Sequence, residues 1–314
     1  MLTAPMKRLT RPDTPSRSFR LTERDGEIIR AVARWRFMTS DQIVRYLTVL
    51  DGTTSHQQVL RRLALLFYYH YLDRPAHQHL QLGTLSHLIY GLGREGARLL
   101  AGAGDAVDPH LEWASKNSRA SSPHLMHSIE TTETMLAFDR ACRERGDLRL
   151  LDHHRLLPAF PAATRELKHP FRLRATIVRG SQSLALNVVP DRVFAIVRSD
   201  NRPFNFCLET DRARMSVTAR RLTGKSSYAR KLTAFFAAWQ QDAHRIQWNM
   251  HGFRCLSVVP SEKRIQNMIA LQRSITSNRL SALFLYTTPE RIAARGPLAP
   301  IWISSDADGI TLLE

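Results

Sequence analysis

From residue 21 onward apolar side chains recur at helical spacing. Ile28, Ile29, Val32 and Ala33 fall on one side of a segment that opens Leu21-Thr22-Glu23-Arg24-Asp25. Thr22 can cap its amino end, and Glu23 and Asp25 stand in the first turn, where the positive end of the helix dipole favours acids. A second segment starts at Thr39-Ser40-Asp41-Gln42 and continues through Ile43, Val44 and Leu47. A third follows residues 51–55 and carries Val59, Leu60, Leu63 and Leu66. Residues 67–72 and 85–90 then turn strand-like around Pro75 and Gly83, and residues 91–100 return to helix. Short helices with a tight link between the second and third, closed by a β-hairpin, predict a winged helix-turn-helix over residues 21–104.

Residues 1–20 show no such period, are rich in Pro, Arg and Ser, and read as a flexible basic arm. The Gly-, Ala- and Ser-rich stretch 105–121 reads as a linker. Beyond it, a helix opens at Ser122-Pro123 and runs to about Gly146. Strands follow at 148–151, 184–189, 193–197 and 204–208, with an irregular stretch between the first two. A long helix over 217–243, a strand at 253–259, a helix over 262–275 and a strand at 283–288 complete the chain. Strands interleaved with helices predict an α/β sheet for residues 122–314.

Charge narrows the function. The 314 residues carry 45 Lys and Arg against 28 Asp and Glu, a formal +17. Only Lys7, Lys116, Lys168, Lys225, Lys231 and Lys263 are lysines, an Arg bias that a GC-rich genome also produces, but base composition does not create the surplus over acids. A surplus of this size favours a polyanionic partner, because each neutralised phosphate releases counterions. Double-stranded DNA is preferred to a membrane, since no basic amphipathic helix with an aromatic face and no long apolar run is present. In the winged-helix reading the third helix enters the major groove, presenting Gln57, Gln58, Arg61 and Arg62, with Thr54 and Ser55 placed to hold a phosphate. A homodimer is one assembly open to such a module. Cys142, Cys207 and Cys255 are few, scattered and set in apolar surroundings, which fits buried thiols in a reducing cytoplasm. No phosphate-binding glycine loop is present, so no nucleotide cofactor is expected.

Candidate chemistry gathers in V-V-P-D-R-V-F-A-I-V and N-F-C-L-E-T-D-R. Asp191 stands between two strands, and Glu209 and Asp211 close the next; side chains two apart on a strand share a face. If the strands are neighbours, three carboxylates converge as hard ligands for Mg²⁺ or Mn²⁺, which could activate water against a phosphodiester. Arg212, Arg214, Arg220, Arg221, Lys225, Arg230 and Lys231 follow as a cationic run. Other signals are weaker. His77-Gln78-His79 lacks the apolar centre of a His-hydrophobe-His metal strand, and Tyr68, Tyr69, Tyr71 and Tyr228 have no partner in sequence that would make one a nucleophile. The pairs His153/His154 and His124/His127 lack Cys or acid companions.

The acidic motif resembles the core of the PD-(D/E)xK nucleases: Pro190-Asp191 and Glu209-Thr210 match, and Asp211 stands where that superfamily has Lys. The resemblance implies a catalytic set of Asp191, Glu209 and Asp211, a Lys migrated to the following helix as Lys225 or Lys231, and an acid on the preceding helix, Glu130 or Glu133. A wider resemblance runs through LTERDGEIIRAVARWRFMTSDQI, IYGLGREGARLL, PHLMHSIETTE, VPDRVFAI, FCLETDR, SVVPSEKRIQNMIAL, LFLYTTPERI and GPLAPIW. Together these are similar to the replication-relaxation family of plasmids and integrative elements. That resemblance implies an N-terminal winged helix-turn-helix followed by a PD-(D/E)xK-like mixed-sheet domain. It also implies DNA binding in plasmid replication or mobilisation, as a metal-dependent nicking endonuclease or as a non-catalytic initiator, accessory protein or transcriptional regulator. A protein-interaction adaptor with incidental basicity is the remaining class.

Overall fold

Helix α1 (Glu23–Trp35) begins where its sequence supplies a cap. Thr22 Oγ1 accepts from the Asp25 amide, and the Asp25 carboxylate accepts in return from the Thr22 amide at 2.8 Å. Its inner stripe, Ile28, Ile29, Val32 and Trp35, has no exposed surface. The computed structural model describes residues 10 and 11, 19–52, 55–81, 87–105, 113–179, 182–213, 227–277, 279 and 281–314, and shows a mixed α/β protein. The chain divides into two compact units, residues 1–136 and 137–314, with the division inside the helix Ser122–Arg145.

In the first unit, strand β1 (Phe37–Thr39) leads into α2 (Ser40–Asp51), where Thr39 and Gln42 repeat the reciprocal capping of α1. Ser55 caps α3 (His56–Tyr68). This helix continues through Phe67 and Tyr68, expected as strand, because Val59, Leu63, Leu66 and Phe67 extend one buried face at helical spacing. The strand partners are shorter than expected: β2 (Leu72–Asp73) and β1 flank β3 (Ile89–Leu92), both antiparallel to it. Residues 82–86, part of the expected second wing strand, lie outside the described residues. The buried Gln78 amide binds both the N–H and the C=O of Ile89, at 2.8 and 3.0 Å, holding β3 in place.

Helix α4 (Arg94–Gly102) follows β3 through Gly93. A Cβ at Gly93 would lie 2.1 Å from the His70 carbonyl oxygen, and one at Gly96 2.3 Å from that of Tyr71, so two glycines of GLGREG are there for backbone approach. The stretch expected to link two domains carries α5 (Trp113–Ser118). Its Asn117 is fully buried and donates to Asp73 at 3.1 Å and to the Leu92 carbonyl at 2.9 Å. The first half of α6 (Ser122–Arg145) brings Leu125 and Ile129 against Phe37, Ile89 and Ala120. The basic arm, expected to be flexible, is seated at two described points. Arg11 donates to the Phe67 carbonyl at 2.8 Å and to Asp73 at 3.0 Å, and Phe19 stacks on Tyr69.

The second unit is built on a mixed five-stranded sheet. Strands β4 (Leu148–Leu151), β7 (Arg192–Arg198) and β8 (Pro203–Thr210) are antiparallel, and β9 (Arg254–Val258) and β10 (Phe284–Thr287) extend β8 in parallel. Short helices α7 (His153–Leu156) and α8 (Ala162–Arg165) follow β4. The unbroken apolar run Val193–Val197 of β7 and the continuous burial of Phe206–Thr210 in β8 reflect cover on both faces. A separate ribbon pairs β6 (Gln182–Val188), close to the strand expected at 184–189, with β5 (Leu173–Arg179), which lies in the stretch read as irregular. The long helix expected over 217–243 is instead α9 (Tyr228–Gln240) and α10 (Ala243–Trp248), broken where Asp242 takes a left-handed φ of 52°. Residues 214–226 lie outside the described residues. Helix α11 (Glu262–Thr276) crosses between β9 and β10, and α12 (Pro289–Arg295) follows β10. Among the described residues no helix is long and apolar enough to cross a membrane.

Candidate functional site

Asp191 and Glu209 are brought together by strand pairing. The Asp191 amide donates to the Leu208 carbonyl at 3.0 Å, which sets the start of β7 beside the end of β8. The Asp191 carboxylate then accepts from the Thr210 amide at 2.8 Å, so its direction is fixed by the neighbouring backbone. Glu209 is the penultimate residue of β8 and is buried, 6% exposed. Lys231, in the first turn of α9, donates its Nζ to Glu209 Oε2. The helix start that places it is capped by Ser227, whose hydroxyl accepts from the Arg230 amide at 3.2 Å.

Glu209 Oε1 is buried and has no hydrogen-bond partner. Burial pushes the Glu209 carboxyl up to about 8, the nearby Asp191 charge adds to the rise, and Lys231 opposes it. The Lys231 ammonium is raised: burial works against its charge, but Glu209 and Asp191 outweigh that loss. A buried Glu209 whose ionisation is disfavoured by burial and by the neighbouring Asp191, with Lys231 as its cation, forms an electrostatic arrangement that an added positive charge would relieve.

Asp211 lies near enough for its charge to add to the rise at Glu209 and Lys231, but its own bonds go elsewhere. The period-two rule that put it beside Glu209 holds only within a strand, and β8 ends at Thr210. Past that point the Asp211 amide pairs with the Val258 carbonyl at 2.9 Å. Its carboxylate takes two hydrogen bonds from Arg264 of α11, 2.6 and 3.1 Å long. The expected three-carboxylate cluster is therefore two carboxylates, and among the described residues no group of three or more His, Cys, Asp or Glu is disposed to hold a metal. Magnesium is commonly held by one or two carboxylates together with substrate phosphates, and Asp191 with the unpartnered Glu209 oxygen fits that donor set.

The remaining expected residues divide cleanly. Arg212 is half-buried beside Asp211, whereas Arg214, Arg220, Arg221 and Lys225 lie outside the described residues. Glu133 is held by Arg45 at 2.7 and 2.8 Å and by Gln42 at 2.9 Å within the first unit. On α3, Gln57, Gln58 and Arg61 are exposed, Ser55 is the cap, and no acid occupies the first turn. Thr54 lies outside the described residues. Arg62 points inward instead. Its guanidinium bonds the fully buried Asp25 through both ends, donates to the Arg20 carbonyl at 2.9 Å, and covers the Phe19 ring at 4.7 Å.

Tyr228 is buried with its hydroxyl 3.0 Å from Ser257, and burial raises its pKa well above the ordinary phenol value, which removes it as an activated nucleophile. All three cysteines are buried and free. Two residues escaped the sequence reading: Arg264, and Arg192, a buried guanidinium that donates to the Asp191 carbonyl at 3.1 Å. Arg192 directly follows Asp191, so its adjacency was a signal; Arg264 lies 53 residues from Asp211 and gave none.

The family model of replication-relaxation proteins matches residues 29–246, more than half of the chain and all of the acidic pair and Lys231. The chain belongs to the replication-relaxation family. Membership of that family suggests a role in the replication or mobilisation of plasmids or mobile elements. No curated protein and no solved structure matches the chain.

Proposed function

We propose that this replication-relaxation protein binds double-stranded DNA through a winged helix-turn-helix in its first unit and acts on the phosphodiester backbone through a PD-(D/E)xK-like second unit. In the first unit, α3 is the recognition helix: Gln57, Gln58 and Arg61 stand exposed on it, and side chains of these types bond adenine and guanine edges. The β2–β3 pair serves as the wing. The net charge of +17 supplies non-specific attraction to the duplex.

The reading of the second unit is carried by one observation: Lys231 reaches back from the following helix onto Glu209, beside Asp191, and so provides the cation that the motif lacks at Asp211. A Mg²⁺ or Mn²⁺ ion held by Asp191 and Glu209 would polarise a phosphodiester and lower the pKa of an attacking water. Thr210 fixes the direction of Asp191, Lys231 orients Glu209 and offsets charge at the phosphate, and Arg264 keeps Asp211 out of the ligand set. Arg212 adds a cation at the strand end.

A second reading, an initiator, accessory protein or regulator that binds without cutting, is favoured by the neutralisation of Asp211 and the lack of a third converging acid among the described residues. One experiment decides. Supercoiled plasmid is incubated with the protein and Mg²⁺ or Mn²⁺, beside an Asp191→Ala/Glu209→Ala variant. Open circles from wild type alone carry the nicking reading. Retention of DNA by both proteins without open circles carries the non-catalytic one. Absence of both leaves a protein-interaction adaptor.

A further inference from the structure

The β5–β6 ribbon has two unlike faces. Its buried face, Leu173 and Ala175 on one strand and Leu186 and Val188 on the other, belongs to the cluster that packs on Tyr228, Leu232 and Phe235 of α9. The opposite face is exposed. Arg174, Thr176 and Val178 alternate along β5, and their register partners Asn187, Ala185 and Ser183 are exposed on β6. Val178 is 74% exposed.

The composition of this face is specific. It holds a guanidinium, a carboxamide, two hydroxyls and two small aliphatic groups, with no carboxylate. These are the groups that read base edges: Arg to guanine, Asn to adenine, hydroxyls to either, and methyl groups to the thymine methyl. Residues 167–190 contain Lys168, Arg172, Arg174 and Arg179 and no acid at all. From Arg174 to Val178 the face spans about 13 Å at ~3.3 Å per residue, and the major groove, ~12 Å wide, admits a two-stranded ribbon.

The ribbon's outer edge argues against a protein strand as the occupant. Gln247 accepts from the Arg174 amide at 3.2 Å and donates to its carbonyl at 3.1 Å. Gln241 does the same for Thr176, accepting from its amide at 3.1 Å. Two carboxamides thus take the place of a neighbouring strand along β5 and close that edge to strand addition. The ribbon also leads through Val189 and Pro190 straight to Asp191.

We infer that the exposed face of the β5–β6 ribbon is a second DNA-contacting surface that seats in a groove of double-stranded DNA and presents the backbone to the Asp191–Glu209 site. The inference rests on the DNA-binding reading above and adds to it a surface separate from α3. Because the three native cysteines are buried, Val178→Cys introduces a singly reactive thiol that can carry a photo-crosslinker. The probe is a 30-base-pair mixed-sequence duplex, used with the full chain at near-physiological salt, where charges more than ~8 Å apart are largely screened. Arg140→Cys, labelled likewise, and Arg140→Glu are the controls, since Arg140 is an exposed cation on α6.

Cross-linking from 178 but not from 140, together with at least a tenfold weaker Kd for Arg174→Glu than for Arg140→Glu, is the expected result. Circular dichroism of each variant confirms its fold, and Asn187→Ala, which alters no charge, should weaken binding about tenfold or less by loss of a base contact. If wild type binds the duplex while 178 fails to cross-link and Arg174→Glu matches Arg140→Glu, the ribbon is not a DNA surface and the α3 reading stands alone. If 178 cross-links to a second protein chain instead, the face is a protein contact and the inference is overturned. Failure of wild type to bind any duplex overturns both.

Discussion

Arg62→Ala should destabilise the first unit rather than merely weaken a DNA contact. Asp25 has no exposed side-chain surface, and the Arg62 side chain is 26% exposed, so truncation leaves a buried carboxylate without its cation. Removing one partner of a buried ion pair costs ~3–5 kcal/mol. Asp25 keeps two acceptor bonds from Thr22, through its amide and its hydroxyl, both at 2.8 Å, which places the expected loss at the low end, about 3 kcal/mol. For a unit of this size that corresponds to roughly 10 °C in Tm. Arg61→Ala, one residue away and exposed, should leave Tm within about 2 °C while weakening duplex binding, since ordinary surface changes stay within ~0.5 kcal/mol. Thermal and urea unfolding followed by circular dichroism, with duplex binding measured on the same preparations, separates the two arginines. An Arg62→Ala protein as stable as wild type, with reduced DNA affinity, would refute the assignment and return Arg62 to the recognition face.

Other consequences follow from the acidic site. Glu209→Gln imitates the protonated carboxyl: because the folded value of about 8 lies above the ordinary carboxylate range, wild-type stability from this group is full below about pH 4.5 and lost as pH rises through 8. The variant should therefore gain stability relative to wild type from pH 5 to pH 9 in urea titrations, and a constant difference would contradict the burial argument. Lys231→Met should abolish nicking with retained duplex binding, and Lys231→Arg should restore part of it; a Met variant with wild-type rate removes Lys231 from the site. Arg264→Ala frees the half-buried Asp211 carboxylate beside the acidic pair and should destabilise the second unit by about 2–3 kcal/mol, as read from the unfolding midpoint. Gln241→Ala/Gln247→Ala exposes the β5 edge, and a concentration-dependent shift to larger species in light scattering is the expected outcome.

Much of the local structure could be read from sequence because its causes are local. The caps at Thr22, Thr39 and Ser55, the apolar stripes of α1 to α3, and the runs of β7 and β8 depend on residues within a few positions of one another. Residues 91–100 were read only as a helix, and the approach of Gly93 and Gly96 to the carbonyls of His70 and Tyr71 lay beyond that pattern. Strand β6 was legible as the apolar run at 184–189, but its partner β5 was missed because its alternation is carried by Arg, Thr and Ala after a stretch of Lys, His and Pro, a composition that imitates a loop until a helix covers one face.

Sequence alone determined the helix boundaries set by caps, the cationic surplus, the apolar strands and the adjacency of Asp191 to its strand. Tertiary structure decided which charges meet. Glu209 faces Lys231 across 22 residues, Asp211 is taken by Arg264 across 53, and Arg62 turns to Asp25 across 37. Pairings over such separations are fixed by strand register and helix docking, whereas periodicity reaches only a few residues. A carboxylate one residue past a strand end is released from the rule that governs the residues before it.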